Sequence, residues 1–260
     1  MTNPPDHPSR DRSDQFDQFD LFGPGQYGND PLGATLGLGE RPLAGSEHVS
    51  RRFEVRGESV LALDDVTVAV HAGQLLAVAG PSGSGKSTLL ALLGCLDLPT
   101  AGSLHVGDHD LGTLGRRARR RLRRTTVATV LPQPADNLLA DGTGIENLRL
   151  AMRHRGVAAS SLDPLVDELA IGGFVERTAG TMSGGEQQRL ALACALVGGT
   201  PLVLADEPTG SLDDENAAHV IATLSRAVAH GATIVVATHD PAVIEAAHGV
   251  VRLEHGRRVS

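Results

Sequence analysis

The sequence has no tryptophan, one tyrosine and five phenylalanines in 260 residues. Four of these six aromatics, Phe16, Phe19, Phe22 and Tyr27, lie near the N-terminus, leaving Phe53 and Phe174 for everything downstream. A core there must be built from Leu, Val, Ile and Ala. Cysteine is scarce as well: Cys95 and Cys194 sit in apolar surroundings without ligand spacing, which argues against a disulfide framework or a metal site and reads as two buried thiols. No apolar run reaches the roughly 18 residues of a spanning helix, and the first residues lack the basic-then-apolar order of a signal peptide, so the chain reads as cytoplasmic. Positive charge is in deficit, with a formal net charge of −8, which disfavours general nucleic-acid binding. Lysine is scarcest of all, since Lys86 stands alone against 22 arginines. Arginine's planar fork suits bidentate pairing, so one isolated lysine points to a site that takes a compact point charge.

An apolar fraction of 41% supports one large domain with a tail. Residues 1–45 are rich in Pro, Gly, Asp and Gln without helical or strand period, and read as a disordered acidic tail. The stretch "DQFDQFDLF" inside it gathers three of the aromatics and leaves open a short partner-binding motif. From about Val49 the pattern is strand, strand, loop and helix, through "LDDVTVAV", "QLLAVAG" and "KSTLLALLGCL". Further on, "GGEQQRLALACALVG" reads as a helix, "PLVLADEP" as a buried strand, "ENAAHVIATLSRAVAHG" as a helix ending at Gly231, and "ATIVVATHD" as a strand. Such alternation predicts an α/β fold with a parallel sheet covered by helices. The polar, less regular region at about 95–180 reads as an inserted helical subdomain.

Gly80 to Ser87 spells G-x-x-x-x-G-K-S between a predicted strand and a predicted helix. Gly80, Pro81, Ser82, Gly83, Ser84, Gly85, Lys86, Ser87 and Thr88 are therefore the candidate phosphate-binding set. The glycines let the backbone wrap an anion, the helix directs its free N–H groups at it, Lys86 supplies the point charge, and the Ser87 hydroxyl is a ligand for Mg²⁺. The alternative is a glycine-rich turn with an exposed lysine. A buried strand delivers Asp206 to the same edge as this loop, where it is a second Mg²⁺ group. Glu207 beside it is placed to orient or deprotonate the water that attacks the γ-phosphate. In "MSGGEQQR", Ser183 stands as a helix N-cap with Gly184 and Gly185 baring the first N–H groups, a second anion site in one chain.

Across about residues 46–260 the sequence resembles the ATP-binding subunits of ABC transporters, whose signature is LSGGQ or LSGGE, with Met182 here in place of leucine. "GPSGSGKSTLL", "LGCLDLPTAG" and "MSGGEQQR" resemble the branch of lipoprotein-release, macrolide-export and cell-division ATPases. The resemblance implies a P-loop cassette with a parallel-sheet core, an antiparallel β subdomain and a helical subdomain, binding ATP and Mg²⁺. It also implies that Ser183, Gly184, Gly185 and Glu186 of one subunit close over the ATP of a second, so that two chains sandwich two nucleotides and drive a separate membrane permease from its inner face. Phe53 matches the adenine-stacking aromatic, a core role being its alternative. Ser211 and Asp213 in "GSLDD" match the D-loop at the dimer seam, and His239 matches the switch histidine at the γ-phosphate. The Q-loop glutamine, expected to touch both Mg²⁺ and the permease, falls on Gln133, although the downstream "NLL" also permits a register with Pro132 at that position. The run Arg116–Arg124 reads as a solvated helical face, with anionic lipid and nucleic acid as the alternatives. A soluble ABC ATPase acting on ribosomes or DNA is the rival reading for the whole chain, and it is disfavoured because neither a second cassette nor a long coiled-coil insert is present.

Overall fold

The computed structural model describes residues 42–55, 57–157 and 162–260. The expected tail lies outside these residues apart from its last four. Strand β1, Ala44–Val55, starts two residues before the expected boundary because Ala44 is already buried, paired to Val70 on one side and Val106 on the other.

β1 and β2, Glu58–Val70, form a long antiparallel hairpin. With β4, Ala101–Val106, and β5, His109–Asp110, they make a four-stranded sheet in the order β2-β1-β4-β5. The second sheet has six strands. Its centre is β3, Leu75–Ala79, every residue of which is buried, as expected of a strand covered on both faces. The others are β6, Val127–Val130, β7, Leu202–Asp206, β8, Thr233–Thr238, β9, Gly249–Glu254, and β10, Arg257–Arg258, in the order β10-β9-β3-β8-β7-β6. All pairs are parallel except β10 with β9.

Helix α1, Lys86–Leu93, follows β3 and stops at Gly94. Side chains alternate across the sheet. Leu76, Val78, Leu204 and Val235 join Leu89, Leu92 and Leu93 of α1 in one apolar layer, while Leu75, Val203, Ile234 and Val236 join the opposite layer. That second layer is covered by α5, Gly184–Leu196, and α6, Asp214–Ala229, with α7, Pro241–Ala246, beside them.

The region expected as a helical insertion over about 95–180 is more divided than its composition suggested. Residues 101–110 return to the antiparallel sheet as β4 and β5, and residues 127–130 supply β6 to the edge of the parallel sheet. Between them lies α2, Arg116–Thr125. The helical part proper begins after β6, with α3, Gly144–Arg155, and α4, Asp163–Glu168, and runs on into α5. These short strands are hard to read because their apolar runs are too brief to show a period.

Both cysteines are free, Cys95 buried and Cys194 partly so. Burial pushes the Cys95 thiol up to about 11 and the Cys194 thiol to about 12, so both stay protonated, as expected of structural thiols.

Candidate nucleotide site

Three parallel strands end side by side: β3 runs into the glycine loop, β7 ends at Asp206, and β8 ends before His239. The carboxyl edge of an open parallel sheet is where such folds bind ligands. Here a cleft of about 520 Å³ is lined by Ser82, Gly83, Gly85, Lys86, Ser87 and Thr88, by Glu207, Gly210 and Ser211, by Pro132 and Gln133, and by His239. Its remaining wall is Val60, Leu61 and Ala62 of β2.

The loop is built by close backbone approach. Gly85 caps α1 at φ +102°, and a Cβ there would meet Ala62 O at 2.6 Å, so only glycine lets the antiparallel sheet sit this near the helix start. A Cβ on Gly80 would overlap the carbonyl of Leu253. Lys86 is buried, its ammonium held by the carbonyls of Gly80 at 2.8 Å and Pro81 at 3.1 Å. Glu207 Oε1 lies 3.3 Å from the same nitrogen. The charge is thus fixed beneath the loop before any anion arrives.

Asp206 sits half-buried, and its Oδ1 is buried without a hydrogen-bond partner. Burial raises its pKa, opposed by a hydrogen bond from Ser87, added to by the charge of Glu207 and opposed again by Lys86. An orphaned carboxylate oxygen beside a hydroxyl is a hard-oxygen donor set that fits Mg²⁺. The described residues hold no cluster of three His, Cys, Asp or Glu, and none is needed, since this ion binds through one or two protein groups together with substrate phosphates.

Glu207 takes φ +47°, outside the usual range for a side chain of its size, with its N–H donating to Ala237 O at 2.8 Å. The turn points its carboxylate at His239, whose Nδ1 lies 3.0 and 3.1 Å from the two oxygens. The acid stays in reach of both Lys86 and the cleft.

The signature residues stand elsewhere. Ser183 caps α5 and forms a reciprocal capping box with Glu186, and Arg177 pairs with Glu186 at 2.9 Å. Burial pushes the Glu186 carboxyl up, but the Ser183 N–H and the Arg177 charge outweigh it and hold the group below its ordinary value. A Cβ on Gly185 would overlap the side chain of Asn216, so this glycine packs α5 onto α6. None of Ser183, Gly184, Gly185 and Glu186 lines the cleft around Lys86. Asp213 does not line it either: its carboxylate caps α6 and accepts from Asn216 N at 2.8 Å.

Phe53 is half-buried on β1, opposite Val60, with the guanidinium of Arg51 4.4 Å from its ring centre. The ring is not among the lining residues, although its strand partner is. Pro132 and Gln133 both reach the cleft, so its lining does not distinguish the two registers. Their loop is closed by Asn137, whose side chain bonds Leu131 N at 2.7 Å and the carbonyls of Leu131 and Gln133 at 3.1 and 3.0 Å. The sequence reading missed Val60, Leu61 and Asn137. Nothing in an exposed apolar pair or a loop asparagine announces such a place before the fold is known.

An ABC transporter family model matches residues 63–210. The macrolide export ATP-binding/permease protein MacB 1/2 of Paracoccus denitrificans is 38% identical over 224 residues, covering 84% of this chain and 33% of that protein. MacB of Bradyrhizobium diazoefficiens is 39% identical over 223 residues, covering 84% of this chain and 34% of its own length. The chain therefore spans about a third of the length of the curated relatives it matches. Among solved structures, the dimeric bacterial ABC transporter cassette MJ0796 superposes with a TM-score of 0.74 at 30% identity, covering 84% of this chain and 97% of that one. A post-hydrolysis dimer of the same cassette, bound to ADP and Pi, matches equally. The chain belongs to the ABC transporter family and carries that family's ATPase cassette.

Proposed function

We propose that this cassette works as the ATP-driven motor of a membrane transporter, two copies closing head to tail over two nucleotides and opening after hydrolysis. The observation that carries the reading is the separation just described. One chain holds a phosphate loop with its charge preset and, away from that cleft, a second helix N-terminus whose capped, glycine-bared amides suit an anion. A second copy placed head to tail brings the two together, an arrangement in keeping with the dimeric state of the MJ0796 cassette.

In the closed state Lys86 and the loop amides hold the β- and γ-phosphates. Ser87 and Asp206 would hold Mg²⁺, with Gln133 as a further contact, and the ion would supply neutralisation of the charge that develops on the phosphate oxygens. Glu207 takes the proton of the attacking water, while His239 holds the carboxylate in orientation and meets the γ-phosphate. Phe53 stacks the adenine, and Asp213 lies at the seam between copies. The relatives are named as ATP-binding/permease proteins, and we assign the membrane-crossing work here to a permease on a separate chain, with this cassette on its inner face. No helix among the described residues is long and apolar enough to cross a membrane. The test is capture of the tagged protein from gently solubilised membranes in the presence of ATP. A membrane permease in the eluate is the expected result, whereas ribosomes or DNA would overturn it.

A further inference from the structure

We propose that the acidic, aromatic segment Asp14–Phe22 of this chain docks on the exposed arginine stripe of α2. Nothing in the nucleotide chemistry uses this helix, which carries seven arginines in the nine residues 116–124 within a protein of net charge −8. The structure sorts them into two sets. Arg119 and Arg123 are half-buried, with Arg123 Nη1 donating to Cys95 O at 2.6 Å, and Leu122 anchors the same inner face. Arg116, Arg117, Arg120, Arg121 and Arg124 are exposed. Of these, Arg117, Arg120, Arg121 and Arg124 follow the i, i+3, i+4, i+7 spacing of one helix face, a stripe about 10 Å long. Among the described residues no carboxylate lies within ion-pair distance of any of them. Four like charges along two turns repel one another, so an anionic partner is favoured there over bare solvent.

The chain outside the described residues contains a matching sequence. Asp14-Gln15-Phe16, Asp17-Gln18-Phe19 and Asp20-Leu21-Phe22 are three tandem triplets that set a carboxylate and a phenyl ring at every third position. Carboxylates pair with guanidinium forks, and aromatic rings accept guanidinium over their faces, so both side chains of the repeat suit arginine. The point where this segment joins the fold also suits the docking. Leu43 O accepts from Gly107 N, and Gly107 precedes Arg116 by nine residues across a short turn closed by Asp110. Twenty residues separate Phe22 from Leu43, and a linker of that length reaches roughly 25 Å, against about 15 Å for the whole of α2. Tethered at that range, the segment has an effective concentration of order millimolar, so even millimolar-strength docking is half populated. A free anionic surface would have to displace it.

The test uses the full chain carrying Gln18→Cys and Thr125→Cys, joined by a short bismaleimide at low salt, with the parent chain, whose thiols are Cys95 (buried) and Cys194 (partly buried), treated alongside as the control. An intrachain cross-link is expected. Its yield should fall about fivefold or more in an added Arg117→Glu/Arg121→Glu pair, because like charges then face each other. Asp14→Arg/Asp17→Arg alone, which leaves the described fold untouched, should lower it as much, and combining the two pairs should restore it. Salt at about 0.5 M should suppress the parent yield in the same way. A yield indifferent to both reversals would overturn the proposal. So would cross-links that are interchain and grow with protein concentration, which would make a second copy the occupant. Sedimentation of the parent chain with phosphatidylglycerol vesicles, lost on Arg117→Glu/Arg121→Glu and unaffected by the tail reversal, would assign the stripe to lipid instead.

Discussion

The hydroxyl of Thr209 donates to Asp240 Oδ2 at 2.7 Å, tying the turn after Glu207 to the turn after His239. Asp240 Oδ1 accepts from Ala242 N at 2.9 Å, so each carboxylate oxygen has a donor, and the backbone N–H of Asp240 donates to Thr238 Oγ1 at 2.9 Å, which holds the residue itself in place. This buckle holds the Glu207 carboxylate opposite the His239 ring. Thr209→Val keeps the shape but leaves a partly buried oxygen without its donor, a loss of about 1–3 kcal/mol. We expect kcat for ATP to drop about tenfold with little change in KM, and Thr209→Ser to restore it. Equal kcat in the valine variant would show that the two turns keep their register without the bond.

Glu207→Gln keeps the size of the side chain and removes the base. Turnover should fall by about 10² to 10⁴ while ATP still binds. Unhydrolysed nucleotide then favours whichever state binds it best. Size-exclusion chromatography with ATP and Mg²⁺ should show a dimer, and a monomer throughout would count against the head-to-tail closure.

The raised pKa of Asp206 has a defined sign. A carboxyl that holds its proton more tightly folded than unfolded costs stability once pH rises above the unfolded value, and the cost is complete above the folded one. At neutral pH Asp206→Asn should therefore raise the melting temperature of the nucleotide-free protein. It should abolish the further stabilisation that Mg²⁺ adds to bound ATP. If the melting temperature falls instead, the carboxylate is already compensated in the free protein.

Phe53 has the Arg51 guanidinium 4.4 Å from its ring centre, and its proposed partner is the adenine. Phe53→Ala should weaken ATP binding by about 1–3 kcal/mol, the range for a base stacked on an aromatic. Calorimetric titration gives the affinity and circular dichroism checks the fold. Unchanged affinity in a folded protein would assign the ring to the sheet alone.

Gln133 lies between two prolines that fix their own φ and bias their predecessors to extended geometry, and Asn137 locks the loop from inside. Gln133→Ala should leave ATP binding intact and sharply reduce stimulation of hydrolysis by the permease. Pro132→Gln is the paired measurement. If the first variant behaves as the parent and the second raises coupled activity, the functional position is Pro132.

The phosphate loop, Asp206 and Glu207 could be singled out as candidates because each depends on a local condition that a short stretch satisfies by itself, whereas His239, which lines the same cleft, was singled out only by the resemblance. Glycines permit a backbone turn, a strand end delivers a carboxylate, and a following helix supplies amides. Much of the strand and helix order was legible for a similar reason, since β3, β7 and β8 are buried on both faces and spell unbroken apolar runs. β4 and β5 escaped because a short or half-exposed strand has no such run. Proximity between distant segments needs the assembled sheet. Only the order β3-β8-β7 sets Lys86 3.3 Å from Glu207 and Thr209 against Asp240, and only the packing of β2 on α1 makes Val60 to Ala62 a wall of the cleft. The sequence by itself determined which chemical groups this protein has. Tertiary structure decided which of them meet, because contacts across a sheet are set by strand order and register, which no local stretch of chain encodes.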